Sequence, residues 1–183
     1  MKFLLHICCT RCAIYPIERL KSDYELIGYY FNPNIQPATE YLSRGEALIE
    51  YARNKEIELI IGEYDPYSHI RSVVNHLDNR CDVCYKLRLT EAARKAEELG
   101  CSYFSTTLLS SPYQNHTKIK EIGEYISREI GDIEFYYEDF RGKWQEAQKI
   151  ADEMKIYKQK YCGCIFSEYE RFQKKTKRLT SLR

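Results

Sequence analysis

Phe3-Leu4-Leu5-His6-Ile7-Cys8-Cys9-Thr10-Arg11-Cys12 is the stretch that decides the fold. Its first five residues are mostly apolar and do not alternate with polar ones, as a strand buried on both faces requires. The run breaks into thiols at Cys8, Cys9 and Cys12. A helical pattern follows over 12–20, with Pro16 expected in its first turn. Outward from there the alternation repeats. Strands are expected at 25–31, 57–61, 101–107 and 133–137. Helices are expected at 41–54, 67–77, 84–99, 118–130, 144–154 and 167–175. Asn32-Pro33-Asn34 and Pro37 break the second strand, and Gly100 and Gly131 close helices. Strand and helix alternating in this way predict a doubly wound α/β class, with a mostly parallel five-stranded sheet and helices on both faces. No repeat or linker composition divides the chain, so 1–183 reads as one domain. The segment 63–99 is longer than one crossover helix needs and reads as a helical insertion.

In such a sheet, ligands bind beyond the carboxyl ends of the strands. The first strand runs into Cys8-Cys9, the fourth into Ser105-Thr106-Thr107, and the fifth into Asp139-Phe140-Arg141. The topology therefore gathers thiols and polar groups at one edge.

Composition sets the bounds. The 183 residues carry 28 Lys+Arg against 27 Asp+Glu, so the chain is not uniformly basic, although a local basic face is still allowed. At 44% apolar and 30% charged it is globular rather than disordered. No apolar run approaches the ~20 residues that span a bilayer. The N-terminal apolar stretch is too short for an export signal, His6 interrupts it, and no small-residue cleavage site follows. The expectation is a cytoplasmic protein in a reducing compartment, where clustered cysteines bind metal or do redox chemistry. Seventeen Tyr stand against one Trp. Most of them are expected to pack with the hydroxyl outward.

Seven of the eight cysteines fall in three clusters: Cys8-Cys9-x-x-Cys12, Cys81-x-x-Cys84 and Cys162-Gly163-Cys164. A Cys-x-x-Cys pair offers two sulfurs to one metal, and two such pairs from distant segments make a four-thiolate site. Structural zinc is one reading. Against it, the first cluster lies at a strand end, adjacent Cys8-Cys9 makes a poor zinc knuckle, and four ligands leave three clustered thiols unused. Iron–sulfur clusters are the other reading. Cys162 and Cys164 can close a small disulfide ring around Gly163 and act as a redox couple, or they are two further metal ligands. Cys101, alone at a strand start, reads as an inert buried thiol.

Asp82, inside the second pair, lies beside a metal there or on it. Asp139 and Arg141 form either a salt-bridged turn or part of the catalytic edge. His6 reads as a core histidine, and His116 as a loop histidine or a proton donor. Arg171, Lys174, Lys175, Lys177, Arg178 and Arg183 stand against Glu168 and Glu170 in the basic segment 167–183. This is either a solvated face or a phosphate-binding one. Tyr157, Tyr161, Tyr169 and Phe172 lie close enough in sequence to stack on bases.

Taken in order, these motifs resemble a known family. Leu4-Leu5-His6-Ile7-Cys8-Cys9-Thr10-Arg11-Cys12, Phe31-Asn32-Pro33-Asn34-Ile35, Arg80-Cys81-Asp82-Val83-Cys84-Tyr85-Lys86-Leu87-Arg88-Leu89, Asp139-Phe140-Arg141 and Tyr161-Cys162-Gly163-Cys164-Ile165-Phe166-Ser167 look like epoxyqueuosine reductases of the QueH type. Arg11 stands where that family often has Pro. The resemblance covers about residues 3–172. It implies a Rossmann-like fold and reduction of the epoxide of epoxyqueuosine, on the wobble nucleoside of a tRNA anticodon loop, in the last step of queuosine synthesis. It implies a [4Fe-4S] cluster on Cys8, Cys9, Cys81 and Cys84, no cobalamin, a redox-active pair at Cys162 and Cys164, and an electron donor the sequence does not name. It further implies a second, mononuclear iron with a carboxylate ligand, for which Asp82 is the candidate. Removing an epoxide oxygen takes two electrons, which a dithiol holds. Asp139 is then a candidate acid for the leaving oxygen.

Two rival classes remain. One is a zinc-bearing tRNA- or nucleotide-binding module without redox chemistry. The other is an ATP-using tRNA enzyme such as a thiolase, which should carry a Gly-rich phosphate loop after the first strand. Here that strand ends in Cys8-Cys9-Thr10-Arg11, with no Gly.

Overall fold

The computed structural model describes residues 1–180. The end of the expected basic tail, 181–183 with Arg183, lies outside the described residues. Five strands, β1 (Lys2–His6), β2 (Glu25–Tyr30), β3 (Glu58–Ile61), β4 (Tyr103–Thr106) and β5 (Glu134–Phe135), form one sheet of order β3-β2-β1-β4-β5. Every pairing is parallel. The apolar first strand sits at the centre, and Phe3, Leu4 and Leu5 are fully buried. The chain first moves outward from β1 to β3, then returns to β4 on the other side of β1. The strand order reverses between β1 and β4, so the binding crevice opens at their carboxyl ends.

Seven helices cover the sheet: α1 (Thr10–Leu20), α2 (Ala38–Asn54), α3 (Pro66–Val73), α4 (Arg80–Glu98), α5 (His116–Ile130), α6 (Trp144–Glu153) and α7 (Ile165–Thr180). α1 packs with α2 and α6, while α4 packs with α5 and against β1 and β4. The two groups cover the two faces, which gives the expected doubly wound α/β fold. No helix among the described residues is long and apolar enough to cross a membrane.

Several boundaries differ from the sequence reading. β5 has two residues rather than five, because an edge strand with one neighbour has fewer backbone partners to hold it. α3 ends at Val73, and Leu77 falls in a 3-10 turn (Leu77–Asn79). α4 starts at Arg80 rather than at Cys84, so Cys81 and Cys84 share one helix face three residues apart. α4 is also the crossover helix to β4, so within 63–99 the extra material is α3 and the turn. α7 extends five residues beyond its expected end.

α1 begins at Thr10, which puts Pro16 inside the helix and not in its first turn. Proline has no N–H to give the carbonyl four residues back, which belongs to Cys12. The Ser110 hydroxyl donates to that carbonyl at 2.8 Å. Ser110 lies in the 3-10 turn that follows β4, so this bond ties the first cysteine cluster to the exit of the fourth strand.

Ser110→Ala should leave the buried Cys12 carbonyl unsatisfied and cost about 1–3 kcal/mol. The chemical-denaturation midpoint is expected to fall with an unchanged slope. An unmoved midpoint would mean that this bond contributes nothing.

Candidate metal and redox site

The first thiols occupy the start of α1. Cys9 is the extended residue just before the helix, and the sulfurs of Cys8, Cys9 and Cys12 all lie within 4.8 Å of one another. All three residues are buried. The Cys8 N–H donates to Thr107 Oγ1 at 3.0 Å, and Gln159 Nε2 donates to Cys9 Sγ at 2.9 Å. The contact with Cys12, joined by Cys9 and Thr107, holds the Cys8 thiol well below its ordinary value, with the nearby Arg88 guanidinium helping. Cys12 pulls Cys9 down as well, but Cys8 and burial outweigh that and push Cys9 up to about 12. Contacts with Cys8 and Cys9 raise Cys12. Only one thiolate is favoured in this trio. A cation bound there would relieve the repulsion among the rest.

A cavity of about 190 Å³ opens beside them, and its lining includes Cys81, Cys84, Cys162 and Cys164. Burial pushes Cys84 up to about 12 and raises Cys81 and Cys162. Arg88 also lines this cavity. Its side chain is essentially fully buried. One of its terminal nitrogens donates to Asn32 Oδ1 at 2.7 Å, while its Nε has no partner. Arg88 has no carboxylate partner among the described residues. Burial works against its charge, and Cys84, Cys8 and Cys162 hold it cationic. Asn34 Oδ1 and Arg80 Nε are likewise buried without partners, and both residues line the same cavity. Seven thiols, an uncompensated guanidinium and orphaned polar atoms fit an anionic metal–thiolate centre. A larger hollow, about 360 Å³, lies elsewhere between residues such as Lys21 and Glu58, and holds no thiol.

The Cys162-Gly163-Cys164 loop is held by α2. Arg44, itself buried and paired with Glu40 at 2.7 Å, donates to the Cys162 carbonyl at 2.8 Å and the Tyr161 carbonyl at 3.0 Å. Gly163 has φ +151, and a Cβ there would meet Asn34 and Ile35 at 3.0 Å. Both cysteines are free thiols.

Other expected residues lie further out. Asp82 is half-buried, is not part of the cavity lining, and exerts its charge on Lys118. Asp139 accepts from Arg141 Nε at 2.8 Å and from its terminal nitrogen at 2.6 Å. This guanidinium holds Asp139 down to about 2, so near neutral pH it is a carboxylate and has no proton to donate. His116 Nε2 donates to the Ser111 carbonyl, and its Nδ1 faces Asp139 at 3.8 Å. His6 is buried, with Nε2 donating to the Phe31 carbonyl and Nδ1 accepting from Thr106. Lys174, Lys175, Lys177 and Arg178 are exposed along α7. The sequence reading left Cys12 without a role and missed Arg44, Arg88 and Gln159. For Cys12 the signal was present in the Cys9-x-x-Cys12 spacing.

Comparison with known proteins gives a consistent family. Residues 3–170 match the family model described as Epoxyqueuosine reductase QueH. The chain is 35% identical over 175 residues to an epoxyqueuosine reductase QueH of Dehalococcoides mccartyi, covering 94% of this chain and 96% of that protein. It is 35% identical over 181 residues to one of Thermotoga maritima, covering 93% and 92%. Among solved structures it is similar to the U34-tRNA thiolase NcsA of Methanococcus maripaludis, solved with its [4Fe-4S] cluster. There the TM-score is 0.59 at 13% identity, over 91% of this chain and 61% of that one. At that identity the likeness concerns the fold, and it places the rival thiolase class on the same architecture.

Burial lowers His6 to about 3 and His69 to about 4, both from 6.5. Each is neutral when folded and takes up a proton more readily when unfolded. Their contribution is therefore complete above about pH 6.5 and is lost as pH falls toward 4. Stability of the metal-free protein should drop in that window by up to about 2.7 kcal/mol per pH unit, two protons' worth. His6→Gln should roughly halve the slope. An equal slope in that variant would show that His6 does not titrate on unfolding.

Proposed function

The chain belongs to the QueH family of epoxyqueuosine reductases, which are oxidoreductases, and from that membership we propose that it reduces the epoxide of epoxyqueuosine at the wobble position of a tRNA anticodon loop, using an iron–sulfur cofactor and a cysteine pair. The observation that carries the reading is the convergence of three distant cysteine clusters around one buried guanidinium that has no carboxylate partner among the described residues.

Cys8, Cys9, Cys81 and Cys84 are the residues to hold a [4Fe-4S] cluster, with Cys12 a fifth thiol against the first two. Asp82, one residue from Cys81, is the carboxylate for a second, mononuclear iron. When bound, such a cluster supplies electrons one at a time. Cys162 and Cys164 supply the pair: as the dithiol becomes a disulfide, two electrons and two protons are released. Both C–O bonds of the epoxide break, its carbons become the alkene, and the oxygen leaves as water. A reductant outside the chain returns the disulfide to two thiols. Arg44 holds the carbonyls around this pair so that the sulfurs stay with the cavity. Asp139 acts as an anion that fixes Arg141 for substrate contact rather than as an acid. Arg141, Lys174, Lys175, Lys177 and Arg178 meet the RNA phosphates.

Anaerobic reconstitution with iron and sulfide should give a brown protein that reduces tRNA-borne epoxyqueuosine in a single turnover. A colourless protein that takes one zinc and stays inactive would overturn the reading. Cys81→Ser and Cys84→Ser should each lose most of the cluster absorbance. Cys162→Ser and Cys164→Ser should keep it and lose multiple-turnover reduction, and Cys101→Ser should keep both. If iron and activity fall together in the Cys162 and Cys164 variants, those residues are ligands and not the redox pair.

Neutralising Lys174, Lys175, Lys177 and Arg178 together should weaken tRNA binding and flatten its salt dependence by about one log–log unit for each phosphate that no longer meets a cation. Identical affinities across several salt concentrations would assign α7 to solvent.

A further inference from the structure

We propose that Tyr113 is a stacking platform for an unpaired base of the substrate RNA, set at the mouth of the thiol cavity. This deepens the tRNA reading above and rests on it. Tyr113 lines the cavity, yet it is 82% exposed, the most exposed large apolar or aromatic residue among those described. Exposure by itself needs no partner; what sets Tyr113 apart from the other exposed tyrosines is its place in the wall of the thiol cavity.

The loop that carries Tyr113 is fixed on both sides. The Tyr113 N–H donates to Ser111 Oγ at 3.3 Å. The neighbouring Gln114 accepts from the Tyr85 hydroxyl at 2.9 Å, and its amide reaches the Cys162 sulfur at 3.6 Å. The Asn115 N–H donates to the same Tyr85 hydroxyl at 3.3 Å. The ring is braced edge-on by Trp144, with centroids 6.1 Å apart and planes at 85°. A perpendicular neighbour covers at most one face of a ring, so at least one face of Tyr113 is left to solvent. Tyr113 therefore offers a π-face to solvent one residue from a side chain that touches the proposed redox pair.

The chemistry that fits is a nucleobase. Proteins bind single-stranded loops by splaying bases onto aromatic side chains, and any base offers a π-face. A base stacked on Tyr113 would leave an adjoining nucleotide at the cavity mouth, beside Cys162. Tyr113 thus positions substrate without taking part in the redox step.

The test uses the chain's one tryptophan. With the reconstituted full-length protein, a tRNA anticodon stem-loop should change Trp144 emission, because Tyr113 and Trp144 are in contact. The same nucleotides closed into a full duplex should not. Tyr113→Leu keeps apolar bulk but has no π-face. It should bind the stem-loop at least about fivefold more weakly, the low end of what one base–aromatic stack supplies. It should raise KM while kcat, iron content and thermal midpoint stay at wild-type values, and Tyr113→Phe should restore binding. If Tyr113→Leu binds and turns over like wild type, or if duplex RNA alters the emission equally, the platform is overturned and the reductase reading stands. If the reconstituted wild-type protein neither binds nor reduces tRNA, both fall together.

Discussion

Arg88 carries its positive charge into the interior with no carboxylate among the described residues to meet it. A buried charge costs several kcal/mol unless it is paired and hydrogen-bonded. One amide oxygen, from Asn32, accepts from it. Everything else that favours the charge is sulfur: Cys84 from its own helix, Cys8 from the end of β1, and Cys162 from the loop before α7. A guanidinium and a thiolate each resist burial alone and resist it less when they face one another. Arg88 pulls down on Cys8, Cys84 and Cys162, but burial still leaves Cys84 and Cys162 raised, so of the three Cys8 is the one favoured as a thiolate opposite the guanidinium. The fold must bring three remote segments to one point for this balance to exist.

Neutral scaffolding completes that arrangement. Arg88 also works against charge on His6 and His69, whose imidazoles burial already keeps neutral. His6 then serves as a spacer, donating to the β2 exit and accepting from β4 at Thr106. Thr107 and Ser110 fix Cys8 and the Cys12 carbonyl from the same β4 exit. Farther out, Arg11 is buried against Gln148 and Asp152, tying the helix that follows the first cysteines to α6. The three buried arginines divide the work: Arg11 has Asp152, Arg44 has Glu40, and only Arg88 is left to the thiols.

What the sequence revealed follows from how local each signal is. The central strands were legible because burial on both faces writes itself as an unbroken apolar run. The ends of α1 and α4 were not, since their first turns are spent on Thr10-Arg11 and Arg80-Cys81-Asp82, residues that read equally well as loop. Pro16 pointed to a helix start, yet it sits in the interior because a serine 94 positions away satisfies the carbonyl it frees. The cysteine clusters were visible as spacing, and their meeting place followed from strand order. Arg44 and Arg88 were invisible for a physical reason. Each lies on an ordinary amphipathic helix with one partner a turn away, Cys84 or Glu40, and nothing local shows that its other partners are a thiol, an amide or carbonyls from remote segments.

Depth then separates the thiols. Cys8, Cys9 and Cys12 are buried at the strand end, Cys84 and Cys164 are intermediate, and Cys81 and Cys162 reach the surface. A closed structural zinc site has no use for such a gradient, because all four of its ligands are consumed by the metal. A centre that must accept a nucleotide from a large RNA does need one. Its innermost sulfurs gain from exclusion of water, and its reducing sulfurs must be reachable. The Cys162 loop meets that second demand: its residue surface lies at the mouth, while the surroundings of its sulfur are buried enough to raise the thiol. On the proposed reading Cys162 therefore keeps its proton until substrate fills the mouth, and a dithiol carries two protons together with two electrons. Both are what the departing epoxide oxygen needs to leave as water.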